Sequence, residues 1–321
     1  MVGAVIVHQN KIIGEGYHQS HDGPYAETSS IADVTNEKRI LLKESTIYIS
    51  SVPYFDYGKT PPYTHLILKY KIPKVVISWL ESTTKESEYN LKILREAGIE
   101  VVTNIFPKEG RFVNVFRDTF IQAKRPYVIL KYAQTIDGFL ALKNTQQFWI
   151  SNSFSKRLVH KWRSEIDAIL VGTNTALYDN PKLDNRLYFG KSPLRIIFDQ
   201  HNRLPKHLNI FDGKHNTLLI NEESDPTKYI KQLQLSFDTQ MLYKLLSYLH
   251  SQNMSSVLVE GGAKVLQSFI DHNLWDEARI FIGNKILHNG LKAPQLSHSP
   301  DEKYKIFDDQ LFIYYNPTKT I

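Results

Sequence analysis

A chain of 321 residues with 42% hydrophobic and 22% charged residues is long enough for two globular domains of ~150 residues each and too apolar to be disordered. It has no cysteine, which excludes disulfides and thiolate metal sites. No apolar run approaches the ~20 residues of a bilayer crossing. Met1 leads into a strand pattern with no basic leader, so the expectation is a cytoplasmic protein with no membrane partner. The net charge of +6 comes from dispersed Lys and Arg, which favours a small anionic ligand over nucleic acid.

In chain order, apolar runs at 2–7 and 11–17 flank His8-Gln9-Asn10 and signal a hairpin. Helical spacing follows over 25–42, then a strand over 46–50. After a loop rich in Pro and Tyr come a helix over 64–70, a strand over 74–78, a helix over 86–97 ended by Gly98, and a strand over 99–103. Alternating strands and helices make this an α/β unit. An amphipathic stretch over 109–124 leads to Arg125-Pro126. The pattern then restarts, which places a domain boundary between 122 and 123.

The second unit reads as strand 127–133, helix 152–164, strands 168–172, 194–198 and 217–220, helix 238–252, strand 256–260, helix 262–272 and strand 277–283. Strand-like runs follow at 305–307 and 310–315. The organising stretch is Asp167 to Arg186. Here a short apolar strand ends at Gly172, a helical turn spans 173–178, and Asp179-Asn180-Pro181 stops it. A buried strand running into a polar loop is where α/β proteins place ligands, and Thr175, Asp179 and Arg186 project there. Gly261-Gly262 between a strand and a helix lets backbone approach a phosphate, although such a pair is often only a turn. Arg163 and Arg186 carry guanidinium forks suited to phosphate oxygens; an exposed helix face is the alternative for Arg163. Lys131 and Glu260, at the ends of two expected buried strands, form either an acid–orienter pair or a structural ion pair. Asp137 fits a turn former.

Several segments of the first half resemble the deaminase half of the bifunctional riboflavin-biosynthesis deaminase–reductase family. They are Val2-Gly3-Ala4-Val5-Ile6-Val7, Gly14-Glu15-Gly16-Tyr17-His18, Gly23-Pro24-Tyr25-Ala26-Glu27 and the loop from Pro53 to Tyr63. The resemblance implies a cytidine-deaminase-like α/β/α domain over 1–122. It also implies a helix and an Asn-Pro segment ahead of Val2, so the expectation is either a start set too late or an N-terminally truncated domain. Zinc deaminases hold their metal with one His and two Cys, and a Glu moves protons. Tyr25, Tyr54 and Tyr63 stand at those ligand positions. A phenol, with a pKa of ~10, is a poor ligand at neutral pH beside imidazole or thiolate. The expectation is no zinc, negligible deamination, and Glu27 as a vestigial acid/base.

The reductase half of the family is resembled by Arg125-Pro126-Tyr127-Val128-Ile129-Leu130-Lys131, Ile136-Asp137-Gly138, Trp149-Ile150-Ser151, Arg163, Asp167 to Pro181, and Val259-Glu260-Gly261-Gly262. This implies a dihydrofolate-reductase-like α/β domain over 123–321 that uses NADPH to reduce the ribosyl group of a phosphoribosylamino-pyrimidine to ribityl. By resemblance NADPH meets Ala133, Trp149, Thr175, Asp179, Gln200 and the run Gly262, Ala263, Lys264, Val265, Leu266, Gln267 and Ser268. Substrate meets Gln147, Arg163, Leu183, Arg186 and Glu260. Lys131 supplies a hydrogen bond or proton to the reacting oxygen, and Glu260 orients the ribose hydroxyls or holds Lys131. Gln147 and Gln200 stand where the family commonly has Ser, and Tyr132 to Thr135 also depart from it, so altered affinity is expected. The family further implies a homo-oligomer. Two competing readings remain at this point: a fully bifunctional enzyme, and a non-catalytic nucleotide-binding scaffold.

Overall fold

The alternation of strands and helices produces two separate main sheets in a computed structural model that describes residues 2–17, 23–51, 63–79, 85–143 and 148–319. Two compact units divide between Arg117 and Asp118. In the first unit, β1 (Gly3–His8) and β2 (Lys11–Tyr17) form the expected hairpin. Gln9 and Asn10 both take positive φ, 46° and 60°, as a two-residue hairpin turn of this hand requires. Next come α1 (Ala26–Asp33), a 3-10 helix over Asn36–Glu44, β3 (Thr46–Ser51), α2 (Tyr63–Tyr70), β4 (Lys74–Trp79), α3 (Lys85–Glu96), β5 (Glu100–Thr103) and α4 (Pro107–Gln122). The division between the units therefore falls inside α4.

The first sheet has the order β2-β1-β3-β4-β5, antiparallel through β3 and parallel beyond it. One expectation needs correction. The single helix over 25–42 is broken at Val34 and Thr35, whose backbones are extended. Val34 is β-branched and buried; it gives up helical geometry to enter a core with Ile6, Leu42, Ile47 and Ile67.

The second unit contains β6 (Tyr127–Thr135), β7 (Phe139–Ala141), α5 (Ser153–Glu165), β8 (Ala168–Val171), α6 (Thr173–Asp179), β9 (Leu194–Phe198), β10 (Thr217–Asn221) and β11 (Lys231–Gln234). It continues with α7 (Met241–Ser251), β12 (Ser256–Gly261), α8 (Ala263–Asp271), β13 (Glu277–Gly283), β14 (Leu291–Lys292), β15 (Glu302–Ile306) and β16 (Asp309–Tyr315). Strands β7, β11 and β14 escape the sequence pattern: two are too short for a period to show, and β11 (Lys-Gln-Leu-Gln) is a polar edge strand.

The large sheet runs β11-β10-β9-β8-β12-β6-β13-β16-β15. Strands β11 to β13 are mutually parallel, and β16 and β15 close one edge antiparallel. Its central strands are buried on both faces, so they are continuous apolar runs such as Ala168-Ile169-Leu170-Val171. Strand β12 forms after β8 to β11 in the chain yet lies between β8 and β6. The strand order reverses on either side of it, and the carboxyl edge at such a switch point is where open α/β sheets bind ligands.

A buried arginine that the sequence reading passed over ties loops together near the amino end of β9. Arg195 on β9 is fully buried. Its guanidinium donates to Thr217 Oγ1 (2.9 Å), the Lys182 and Asn209 carbonyls (3.3 and 3.1 Å), the Ile210 and His215 carbonyls (3.0 Å each) and Asp212 Oδ1 (3.1 Å). Replacing it by Met strands these acceptors and leaves Asp212 without its cation. Asp212 is exposed, so the cost comes from the buried acceptors left unpaired, about 1–3 kcal/mol for such a group. Thermal denaturation of Arg195→Met is expected to show a melting temperature lowered by several degrees; an unchanged melt contradicts this account.

Candidate active site

Strands β6 and β12 run in parallel register, with Val259 opposite Leu130. The next residues, Glu260 and Lys131, therefore leave the sheet on the same side. Lys131 Nζ lies 3.8 Å from Glu260 Oε2, and both side chains are largely buried. Lys131 is not at a strand end as expected, because β6 continues to Thr135. Its inner neighbours Val128 to Leu130 face the core, and only at Lys131 does the burial relax. On the other side of β12 the register slips: Val259 faces Leu170 and Gly261 faces Val171. Glu260 is thus the extra residue of a bulge, a device that re-aims a side chain beside a site.

Helix α5 supplies the third charge. Asn152 caps it, accepting from the Phe154 and Ser155 amides at 2.9 Å each. One face of α5 presents His160 and Arg163, one turn apart. Arg163 forks onto the carboxylate of Glu260, Nε to Oε1 and Nη2 to Oε2, both at 2.8 Å. Its remaining Nη1 donates to the Asp184 carbonyl at 3.1 Å. The alternative of an exposed helix face is therefore wrong for Arg163. Its fork is also occupied by Glu260, so the anion-gripping surface that remains is the guanidinium of Arg186. Arg186 pairs with Asp184 through Nη1 and is 42% exposed.

The electrostatics follow from these contacts. Burial by itself raises the pKa of Glu260, but the cations of Arg163 and Lys131 outweigh it and bring it down to about 2. Burial, with a smaller push from Arg163, lowers Lys131 below the ordinary lysine range; Glu260 opposes this only in part. The result is a permanent carboxylate beside an ammonium that gives up its proton more readily than usual.

The other expected positions spread along the same edge. Thr175 on α6 packs against the glycine pair: a Cβ at Gly261 would meet its Cγ2 at 3.0 Å, and one at Gly262 its Oγ1 at 3.3 Å. Gly262 also takes φ 83°, which disfavours any side chain. It precedes α8, whose N-terminus has no side-chain cap and so presents free backbone amides suited to an anion. Ala263 and Lys264 stand there. Val265 turns toward Gly172, and Leu266 is buried in the core, so its side chain is not a ligand contact. Gln267 pairs with Asp271, and Ser268 donates to the Lys264 carbonyl.

Asp179 ends α6, exposed. Ala133 lies on β6 opposite Phe281 of β13. Trp149 is 56% exposed, with Lys156 Nζ 4.5 Å over its ring. Gln200 follows β9 and donates to Glu222 Oε1 at 3.0 Å. Leu183 is buried, with φ 54°. This is a costly backbone for a Leu, held by the loop around it. Asp137 is a turn former as expected, accepting from Thr135 Oγ1 at 2.6 Å and His288 N at 2.7 Å. Gln147 lies outside the described residues.

In the first unit, Tyr25 occupies the N-cap position of α1 and Glu27 is fully buried in that helix. Neither carboxyl oxygen of Glu27 has a hydrogen-bond partner among the described residues. Burial pushes its pKa up to about 7, against the opposing charge of Arg117. Among the described residues no three His, Asp or Glu side chains gather as a metal site. Tyr54 and the side chain of Tyr63 lie outside the described residues. A set without any Cys, with Tyr two residues before the Glu, does not fit the zinc that this fold holds through His and Cys.

The sequence reading missed His160, Asp184 and Arg195. The spacing of His160 and Arg163 was the available signal for the first, since i and i+3 share a helix face. The separation of Asp184 and Arg186 by one residue was the signal for the second.

The family model described as the RibD C-terminal domain matches residues 126–300. The riboflavin biosynthesis protein RibD of Aquifex aeolicus is 33% identical over 312 residues, covering 95% of this chain and 86% of that protein. RibD of Bacillus amyloliquefaciens is 33% identical over 306 residues, covering 92% and 81%. The crystal structure of the diaminohydroxyphosphoribosylaminopyrimidine deaminase/5-amino-6-(5-phosphoribosylamino)uracil reductase of Thermotoga maritima superposes with a TM-score of 0.87 at 31% identity, covering 98% of this chain and 91% of that one. Both units are thus those of the two-domain riboflavin enzymes, the second a reductase domain of dihydrofolate-reductase-like fold. With a lysine, a carboxylate and a glycine-flanked helix start meeting at one sheet edge, the chain belongs to the RibD family of riboflavin biosynthesis.

Proposed function

We propose that this riboflavin-biosynthesis reductase uses NADPH to reduce 5-amino-6-(5-phosphoribosylamino)uracil to its ribityl form, and that its first domain does not deaminate. The observation that carries the reading is the buried Lys131–Glu260–Arg163 cluster at the switch-point edge. The functional domains are taken as 1–122 and 123–321. A cytoplasmic homo-oligomer acting on this pyrimidine, with no nucleic-acid or membrane partner, completes the proposal. Among the described residues no helix is long and apolar enough to cross a membrane.

The edge suits a dinucleotide. Gly262 and the uncapped start of α8 offer amides to a phosphate, with Lys264 and Thr175 beside them. Trp149 and Gln200 offer an aromatic face and an amide farther along. When bound, the reduced nicotinamide supplies hydride to C1′ of the sugar. The chain's own task lies at the oxygen released from C1′ as the ring opens, which needs a proton. Lys131 is the donor, made more acidic by burial. Glu260, anionic throughout the working range, holds the Lys131 ammonium and accepts from ribose hydroxyls. Arg163 keeps Glu260 charged and aimed, and Arg186 takes the phosphate.

The first domain keeps the buried Glu27 but lacks a donor set that suits zinc. Its carboxyl has no metal-activated water to serve, so deamination is assigned to another protein.

Three outcomes test this reading. Lys131→Met is expected to lower kcat by about 10²–10⁴-fold, in line with loss of a general acid, while cofactor affinity by fluorescence titration stays unchanged. A Lys131→Met enzyme that turns over at the wild-type rate sinks the assignment. Purified protein supplied with the aminated pyrimidine is expected to release no ammonia and to carry no stoichiometric zinc by elemental analysis; ammonia release favours the bifunctional alternative. Finally, the raised pKa of Glu27 means that the folded state binds its proton more tightly. The stability it contributes is whole below the ordinary carboxylate pKa and is lost as pH rises through about 7. Glu27→Gln is therefore expected to stabilise the first domain by on the order of 1–3 kcal/mol near pH ~8, and far less near pH ~5. Thermal melts at both pH values read the difference, and a gain that does not grow with pH contradicts it.

A further inference from the structure

We propose that His160 is a positioning residue for the reduction, holding the main chain at Arg186 so that this guanidinium faces the anionic group of the substrate. The loop between α6 and β9 runs through two left-handed residues, Asn180 (φ 39°) and Leu183 (φ 54°). Such a path relaxes unless its ends are tied. Asn180 is tied to Asn209 by two hydrogen bonds of 2.7 and 2.6 Å. The Lys182 carbonyl accepts from Arg195 at 3.3 Å, the Asp184 carbonyl from Arg163 at 3.1 Å, and the Asn185 amide donates to Ser192 Oγ at 2.9 Å. The last tie is at Arg186, whose backbone amide donates to His160 Nδ1 at 3.2 Å.

The chemistry of that tie is specific. An amide only donates, so Nδ1 must be free of a proton and the imidazole neutral, with its hydrogen on Nε2. His160 is 1% exposed. It faces Arg163 from its own helix, Arg186 and Asp184 from the loop, and Glu260 from β12. Burial and the two arginines depress its pKa to about 4 against the pull of the two carboxylates, so the tie persists throughout the working range. The Arg186 side chain, by contrast, is half in solvent and, among the described residues, paired only through Nη1 to Asp184. Its aim therefore depends on where the backbone amide is anchored. Helix α5 thereby orients both ends of the site: Arg163 sets the carboxylate beside Lys131, and His160 sets the phosphate grip.

This inference rests on the proposed phosphorylated substrate, and the test separates the two. The variants are His160→Phe, which keeps a ring but has no acceptor, and His160→Asn, whose Oδ1 can replace Nδ1. With the 5′-phosphorylated substrate, His160→Phe is expected to raise KM roughly tenfold, the value of one hydrogen bond to a positioned group, with kcat changed less than about twofold. With the dephosphorylated substrate its KM is expected to match wild type. His160→Asn is expected to restore most of the loss. Equal KM in all three proteins, equal losses on both substrates, or no rescue by Asn in a protein that melts like wild type each overturn the proposal. Calorimetric titration with inorganic phosphate reads the same grip without turnover. If the wild type binds phosphate and His160→Phe does not, His160 keeps its role even where reduction of this substrate fails. Should His160→Phe not fold, nitrogen NMR of the wild-type imidazole decides: a proton on Nδ1 overturns the proposal, and a bare Nδ1 supports it.

Discussion

A single buried carboxylate organises the reductase domain. Glu260 carries a charge out of water at the centre of a nine-stranded sheet, which costs several kcal/mol unless it is paired. Arg163 answers with a two-point fork, and Lys131 adds a second cation on the same oxygen. Replacement of such a cluster by apolar side chains is often neutral for stability. Its value lies in orientation: three charged groups from β6, β12 and α5 are fixed relative to one another before any ligand arrives. Preorganised charge of this kind is what a water-poor site uses to stabilise a developing charge.

Glu260 and Glu27 make the contrast plain. Glu260 has cations on both sides and is held near 2, whereas Glu27 has no hydrogen-bonding partner among the described residues and is pushed to about 7. Burial opposes the charge in both. The difference is contact: Arg163 forks directly onto Glu260, whereas the charge of Arg117 only partly opposes burial at Glu27. In the first domain, a group suited to metal chemistry is retained where the surrounding donor set does not suit the metal. The reductase half is built around its charges, and the deaminase half carries one that its packing no longer balances.

Support for the site extends well beyond the residues that would touch a ligand. Arg195 links the Lys182 carbonyl, in the loop that leads to Leu183 and Arg186, to four acceptors between Asn209 and His215, besides its bond to Thr217. Asn152 caps α5 and also reaches the Ile306 carbonyl and Asp308, fixing the helix that presents His160 and Arg163. The glycine pair after Glu260 admits Thr175 from α6 at a distance that a side chain would block. In the first two cases polar groups that loops leave unpaired are satisfied by one well-placed side chain.

Much of this was readable along the chain. The hairpin of β1 and β2, the apolar runs of β8, β9, β12 and β13, and the Gly pair before α8 are local patterns whose physics needs no partner. The amino-acid order alone also specified two α/β units, the pairing of Lys131 with Glu260, and the loss of every Cys that could hold zinc. Folding in three dimensions decided the rest, because it depends on which side chains meet across long separations. Val34 left its helix for the core. Arg163 spent its fork on Glu260, 97 positions away, and His160 found the Arg186 amide. Glu260 was turned by a bulge that exists only where β12 lies against β8. Hydrogen bonds and buried charges are set by distance in space, and separation along the chain carries almost no information about that.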